Sequence, residues 1–456
     1  MRTTAMSVWI FINLLFFGMC GYLYLIWSQY WLYLEKQKYS SGLSNEHKSM
    51  QYMYSPDKNV QSHIKMNSSD SDIRKNRRSA IGVLWRSGKH NKTSATQTIP
   101  SSNVVINKPG SPRFPNTHIS ALEIDSDKYI CQYITDADCE AKSKKFKELI
   151  LKEFHRILMT LSNVFISGLE SQNTYNVKYD FIAQRKDLSG NEILCALRKI
   201  SLQTVTAKDE PFASEGFRIP RRVLREQRTF DKCAVVTSAG ALLGSGLGTF
   251  IDSHDMVLRF NNAPTENYTE DVGSKTTFRI LNSQVVTKPQ YDFLENEMFS
   301  NISILIWDPS NYSSSLEQWY RHPDFNLFPV YKKFLEKRPI ADVHLLKPKV
   351  LWQLWSVLQN ASPYRLRRNP PSSGFIGIWF ALHRCNQVRV FEYVPSARVT
   401  RRCHYHSPRT DIGCTLGAWH PLAQEKIVAE RIRDNSDIQV FQLGYINVPG
   451  FKIVKC

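Results

Sequence analysis

Between Cys233 and Gln284, three short apolar runs each end in a cluster of small polar residues, and this repeated pattern constrains the fold more than any other feature of the chain. Cys233 to Val236 runs into Thr237, Ser238 and glycines at 240, 244, 246 and 248; Met256 to Phe260 runs into Asn261 and Asn262; Thr276 to Leu281 runs into Asn282, Ser283 and Gln284. Short, continuous apolar runs suit strands buried on both faces, and such strands belong to parallel sheets covered by helices. In an open α/β sheet, ligands bind beyond the carboxyl ends of the strands. The polar tips therefore predict a crevice for a nucleotide or sugar nucleotide. The glycines either let a ligand approach the backbone or form a structural turn, because their G-S-G-L-G spacing departs from the dinucleotide G-x-G-x-x-G.

The chain has 456 residues, enough for a large domain plus an extension. Its formal net charge of +18 favours acidic partners. The basic residues are dispersed, and no zinc finger, RNA-binding motif or basic zipper occurs, so nucleic acid is not expected. A small donor bearing phosphate and carboxylate suits the charge better.

Val8 to Trp27 holds only Asn13 as a strongly polar side chain and has the length of a bilayer span, followed by Tyr30, Trp31 and Tyr33 as interfacial anchors. The run is long for a cleaved signal peptide and lacks the A-x-A signature, which favours an uncleaved signal-anchor. Six Asn-x-Ser/Thr sequons, at Asn67, Asn91, Asn267, Asn301, Asn311 and Asn360, agree with a lumenal location. Eight cysteines lie beyond the span, an even number suited to disulfides. Residues after the span are rich in Ser, Asn, Lys and Gln without apolar periodicity, as in a flexible stem. Arg74 to Arg78 within it is either a processing site or a solvated charge run. The expected organisation is a cytosolic tail over 1–7, a transmembrane signal-anchor over 8–27, a stem over 28–140 and a catalytic domain over 141–456.

That last domain opens with Phe146, Leu149, Ile150, Phe154, Ile157, Leu158 and Leu161 at helical spacing. Cys131 and Cys139, just upstream, suit a small local loop. Ile302 to Trp307 predicts a further strand ending at Asp308, and Leu351 to Trp355 reads as packing. Pro370-Pro371-Ser372-Ser373-Gly374 opens an apolar helix over Phe375 to Leu382, whose free first-turn amides can receive an anion. Val388 to Val394 predicts the next strand. Near the C-terminus, Cys403-His404-Tyr405-His406-Ser407 and Cys414-Thr415-Leu416-Gly417-Ala418-Trp419-His420-Pro421 bring together zinc-type ligands, but the spacing fits no standard finger. An oxidising lumen favours a Cys403–Cys414 disulfide instead. Pro421 suits the first position of a helix through Ala423 to Arg433. That places His420 at a helix start, where an imidazole stays neutral and serves as a base.

In these four stretches the chain resembles the animal sialyltransferases, most closely the β-galactoside α-2,6-sialyltransferases. Cys233 to Gln284 is similar to the large sialylmotif and Pro370 to Tyr393 to the small one. His404 to Ser407 and Cys414 to Glu425 are similar to the third and very small motifs, with His420 and Glu425 meeting H-x-x-x-x-E. The resemblance implies a GT-A-like, Rossmann-like α/β domain with a mostly parallel sheet and helices on both faces. It implies CMP-sialic acid as donor, glycoprotein glycans ending in galactose or N-acetylgalactosamine as acceptors, and a type II Golgi membrane enzyme. His420 is then the catalytic base. Ser238, Asn261, Asn282, Ser372, Ser373, Gly374, His404, Thr415, Trp419 and Lys426 contact the donor, and Asp324 and Tyr175 the acceptor sugar. The implied disulfides are Cys195–Cys456, Cys233–Cys385 and Cys403–Cys414.

Two positions depart from close relatives: Trp419 stands where tyrosine is usual, and Ser407 where relatives often carry an acidic or amide group that meets the acceptor. A small Ser407 leaves room for an N-acetyl group. No D-x-D triplet follows Asp138, which argues against metal-bridged diphosphate chemistry, so neither metal nor cofactor is expected. Competing readings are another sialyl linkage, a silent lumenal lectin on the same fold and a nucleotide-dependent oxidoreductase; whether the chain forms a homodimer is open.

Overall fold

The computed structural model describes residues 126–166, 173–179, 187–219, 229–410 and 419–456. The expected tail, membrane span and basic run, with Asn67, Asn91, Cys414 and Thr415, lie outside them. Among the described residues no helix is long and apolar enough to cross a membrane.

Seven strands form one sheet: β1 (Phe230–Val236), β2 (Met256–Phe260), β3 (Phe278–Asn282), β4 (Ser303–Trp307), β5 (Val343–Leu345), β6 (Cys385–Phe391) and β7 (Tyr445–Pro449). Their spatial order is β5-β4-β3-β2-β1-β6-β7. Every pairing is parallel except β6 with β7. The order steps outward from β1 through β5 and then returns to its other side, so the sheet has a topological switch between β1 and β6.

The helices are α1 (Cys139–Ile166), α2 (Gly190–Arg198), α3 (Gly248–Asp252), α4 (Thr269–Val272), α5 (Ser283–Thr287), α6 (Leu316–Arg321), α7 (Phe328–Lys337), α8 (Lys349–Asn360), α9 (Ser373–Arg384), α10 (Leu422–Arg431) and α11 (Asp437–Phe441). Both faces of the sheet are covered, and the strands show this residue by residue. Cys233, Val235, Met256, Leu258, Phe260, Leu305 and Trp307 enter one core with α1, α2 and α8 to α11. Ala234, Val236 and Val257 enter a second core with α3 and α4. Ile304 and Ile306 enter a third with α5 and α7. This is the alternation of a pleated strand buried on both sides. Helix α9 lies so close to the sheet that a Cβ at Gly377 would sit 2.5 Å from the Phe260 ring.

The strands differ from the sequence reading at their ends. β1 begins three residues before Cys233, and β6 runs from Cys385 to Phe391 rather than from Val388 to Val394, because Glu392 adopts a left-handed conformation with φ of 50° and ends the strand. Residues 126–140, read as the end of the stem, pack onto the domain. Cys131 and Cys139 are fully buried and bonded to each other, and the Cys131 amide donates to Gln442 Oε1. Disulfides also join Cys195 to Cys456 and Cys233 to Cys385, the latter linking β1 to β6. Cys403 is disulfide-bonded as well.

Candidate functional site

The polar tips of β1, β2, β3, β4 and β6 all lie at the carboxyl edge of the sheet, which is where an open α/β sheet binds its ligand. Asn261 turns the chain with φ of 47°, a conformation asparagine tolerates better than most residues. Its Oδ1 accepts the Asn282 amide at 3.1 Å, and Asn282 Oδ1 in turn accepts Val285 N at 3.1 Å as the cap of α5. Each side-chain carbonyl is thus engaged in the scaffold. The two NH2 groups remain as donors for an acceptor-rich ligand. Arg279 fixes the turn from below, donating to the carbonyls of Asn261 and Ala263.

The glycine-rich loop after β1 is not an open cradle. The Gly244 and Gly246 amides donate to the two oxygens of Asp271, at 2.7 and 2.9 Å. Of the two readings left open for these glycines, the structural turn holds at 244 and 246, where the protein supplies its own carboxylate. A Cβ at Gly240 would lie 2.2 Å from the Arg402 carbonyl, and one at Gly248 would lie 1.9 Å from the Thr269 carbonyl. These glycines answer to protein packing. Ser238 is half-buried beside this loop, and its carbonyl accepts Tyr405 N, while Ala239 bridges His404.

The Pro-Pro-Ser-Ser-Gly segment starts α9, and Glu425 organises it. The Glu425 side chain is fully buried and accepts three hydrogen bonds: Ser372 N at 2.8 Å, Ser372 Oγ at 2.5 Å and Tyr393 Oη at 2.6 Å. Ser372 Oγ also accepts Phe375 N as the helix cap, so this hydroxyl is used within the fold. Gly374 is required because a Cβ there would approach the Tyr393 ring to 2.6 Å. Burial holds the Tyr393 phenol far above its usual pKa, aided by the Glu425 carboxylate, so it remains a proton donor. Lys426 is tied to the same scaffold, with Nζ donating to the Tyr393 carbonyl at 2.6 Å. Burial pulls its pKa down to about 8, against the opposing pull of Glu425 and Glu392.

His420 sits immediately before α10. The helix begins at Leu422 with Pro421 as its cap residue, one position later than the spacing suggested. His420 Nδ1 lies 2.8 Å from the Pro370 carbonyl, which only accepts; Nδ1 therefore carries the hydrogen and Nε2 keeps the free lone pair. Desolvation lowers the imidazole pKa, with Glu425 and the Pro370 carbonyl partly opposing it. Two indoles wall the ring: Trp419 at 4.5 Å between centroids and Trp307 at 6.2 Å. Asn369 holds the Trp419 carbonyl. Trp307 Nε1 donates to Ser373 Oγ at 2.9 Å, which connects the wall of the His420 ring to the first residue of α9. The sequence marked Trp307 only as the end of a strand.

Tyr175 packs against Trp419 and Trp352 at 6.2 and 5.5 Å, and its hydroxyl donates to Asp324 Oδ1 at 3.2 Å. His420, Trp419, Tyr175 and Asp324 thus form one continuous wall. His404 and Ser407 belong to a separate loop in which His404 and His406 stack at 5.3 Å, and Ser407 makes its bonds locally, to Arg409 N and the His404 carbonyl. Sequence reasoning missed Asp308, which follows Trp307 and is completely buried. Its carboxylate accepts Trp319 Nε1 and Asp324 N at 2.8 and 3.0 Å. Burial, with Asp324 nearby, raises its pKa to about 7. The sequons at Asn267, Asn301, Asn311 and Asn360 are all exposed.

Glycosyltransferase family 29 (sialyltransferase) matches residues 187–436. A Beta-galactoside alpha-2,6-sialyltransferase 2 of Xenopus tropicalis is 43% identical over 289 residues, covering 62% of this chain and 56% of that protein. The protein of the same name from Bos taurus is 45% identical over 276 residues, 59% of this chain and 55% of that protein. The matched region therefore spans little more than half the length of these relatives. A solved structure titled Crystal Structure of a Mammalian Sialyltransferase is 21% identical, covers 56% of this chain and 83% of that one, and superposes with a TM-score of 0.31, too low to transfer positions.

Proposed function

The chain belongs to glycosyltransferase family 29, the sialyltransferases, and from that premise we propose that it moves sialic acid from CMP-sialic acid to the 6-hydroxyl of a terminal β-linked galactose. The observation that carries this reading is the His420 ring, fixed by Pro370 so that Nε2 is the free base. In this reading Nε2 takes the proton of the acceptor hydroxyl as that oxygen attacks the anomeric carbon. The bond to CMP breaks on the opposite face, so the configuration inverts through an oxocarbenium-like state. CMP leaves as a phosphate monoester anion.

On the donor side, Ser238, the NH2 groups of Asn261 and Asn282, Ser373 and the amide of Gly374 supply hydrogen-bond donors to that anion. Lys426 contributes a buried positive charge behind them, Ser372 acts through the cap, and Trp419 gives the donor a flat face. His404 and Thr415 complete this side, as the family resemblance implies. On the acceptor side, Asp324 accepts a galactose hydroxyl and Tyr175 lies against the sugar, with Ser407 near its C2 substituent. Both substrates meet at the carboxyl edge of the sheet. The charge of +18 suits an anionic donor. A signal-anchor at 8–27 and a stem, as the sequence suggests, would carry this domain into the Golgi lumen, an environment that suits its disulfides and exposed sequons.

The test is a panel of CMP-sialic acid with glycans ending in galactose or N-acetylgalactosamine, with linkage analysis of the product. His420→Ala is expected to lose transfer by at least 100-fold, the scale of general-base catalysis, while donor affinity stays within about twofold. Unchanged turnover refutes the base. A wild-type protein that binds CMP-sialic acid and sialylates no acceptor refutes the activity and favours a lectin.

A further inference from the structure

Asp308 is the least expected polar group in the described fold. It is completely buried at the carboxyl end of β4. Four donors from three separate segments converge on its carboxylate. Oδ2 accepts Trp319 Nε1 of α6 at 2.8 Å and the Asp324 amide at 3.0 Å, and Oδ1 accepts the Phe325 amide at 3.3 Å. The Ser283 hydroxyl at the start of α5 is the fourth. A buried carboxylate is retained only where such bonds replace its water.

The geometry of these bonds has a direction. Helix α6 ends at Arg321, and the chain turns back through His322 and Pro323, so that two successive amides of the loop point at Asp308. With its backbone held from behind, Asp324, an exposed residue, presents its carboxylate to the Tyr175 hydroxyl. Trp307, one residue earlier, faces the other way, toward Ser373 and His420.

We propose that Asp308 is a positioning residue for the acceptor: by clamping the Asp324 and Phe325 amides it sets where the Asp324 carboxylate stands, and so governs acceptor affinity separately from donor affinity. This rests on the reading of Asp324 as the acceptor-sugar contact. Asp308 itself touches neither substrate. Two of its four bonds hold the Asp324 and Phe325 amides, and through them its effect reaches the Asp324 carboxylate.

The experiment is two-substrate kinetics on the full chain with CMP-sialic acid and a galactose-terminated glycan, for Asp308→Asn, Asp324→Asn and the double variant. Asparagine keeps the volume but offers only one acceptor oxygen, so one converging donor loses its partner. Acceptor KM is expected to rise about tenfold in Asp308→Asn, with donor KM within about twofold, since one charge-assisted bond is worth roughly that factor. The double variant should bind acceptor no worse than Asp324→Asn, because both changes act on one carboxylate. A parallel rise in both KM values, or additive losses in the double variant, would overturn the proposal. Trp319→Phe, which removes one donor and no charge, should raise acceptor KM by about two- to fivefold with donor KM unchanged, and serves the same comparison if Asp308→Asn fails to fold. A wild-type chain that sialylates no glycan would instead sink the underlying reading of the site.

Discussion

Removing the Glu425 carboxylate should weaken the domain and shift the titration of His420, in separable ways. The side chain is fully buried and accepts Ser372 N, Ser372 Oγ and Tyr393 Oη at 2.5–2.8 Å. In Glu425→Ala the Ser372 amide and the Tyr393 hydroxyl lose their buried partner, at about 1–3 kcal/mol each. With the cavity included, the loss is roughly 3–6 kcal/mol against a net stability of about 5–15 kcal/mol. At about 2 °C per kcal/mol, the melting temperature should fall by roughly 6–12 °C. Glu425→Gln keeps the volume and one acceptor oxygen, and both hydroxyls can rotate, so its cost should be about 1–2 kcal/mol.

The second readout is the pH dependence of kcat/KM. The Glu425 charge favours the imidazolium form of His420 and so raises its pKa. Neutralising that charge in Glu425→Gln lowers the pKa further, and the acid limb of the profile should move to lower pH. Thermal melts and pH–rate profiles on the same preparations measure both effects. A Glu425→Ala melting point within about 2 °C of wild type would refute the assigned role in stability. An acid limb that moves to higher pH in Glu425→Gln would refute the electrostatic link to His420.

Further expectations concern the base, the glycine loop and the helix start. Because desolvation lowers the His420 pKa below its ordinary 6.5, and the neutral ring is the working form in the proposed mechanism, kcat/KM should keep more than half of its plateau at pH 6.5; a half-maximal point above 6.5 contradicts this. Asp271→Ala frees the Gly244 and Gly246 amides and should cost about 2–4 kcal/mol in denaturant unfolding; a loss under about 0.5 kcal/mol would show that the carboxylate does not hold the loop. Gly374→Ala drives a methyl group into the Tyr393 ring and should destabilise by about 1–3 kcal/mol, and a neutral result in the same assay would mean that the ring moves freely.

Local sequence was informative where local physics decides. The runs at Met256 to Phe260 and Ile302 to Trp307 became β2 and β4 with boundaries within one residue, because each is a short apolar segment closed by polar residues. A helix start at the Pro-Pro-Ser-Ser-Gly segment was legible for the same reason, and the fold makes Ser372 its cap. Contacts made across the chain were not legible from local physics; the Cys195–Cys456 and Cys233–Cys385 bonds came only from the family resemblance. Nothing near Gly244 indicates that its amide will meet a carboxylate 27 residues away, nor does Ser372 reveal that its hydroxyl will be held by Glu425, 53 residues later. β5 has only three residues, too few to establish a period, and β7 depends on its antiparallel partner β6. Asp308 read as the polar end of a strand because its converging donors come from segments that only the fold assembles.

On the proposed function, the alternation at the end of β4 would separate what this protein recognises from how it reacts. Trp307 turns toward Ser373 and Asp308 toward the Asp324 loop, although a single peptide bond joins them; on the proposed reading these are the donor and acceptor sides. If the acceptor reading holds, a lineage could rewrite the turn beneath Asp308, change which glycan is modified and inherit the transfer chemistry intact. Grafting residues 316–327 from a paralogue with a different taste should be a shorter route to new specificity than redesigning the cleft.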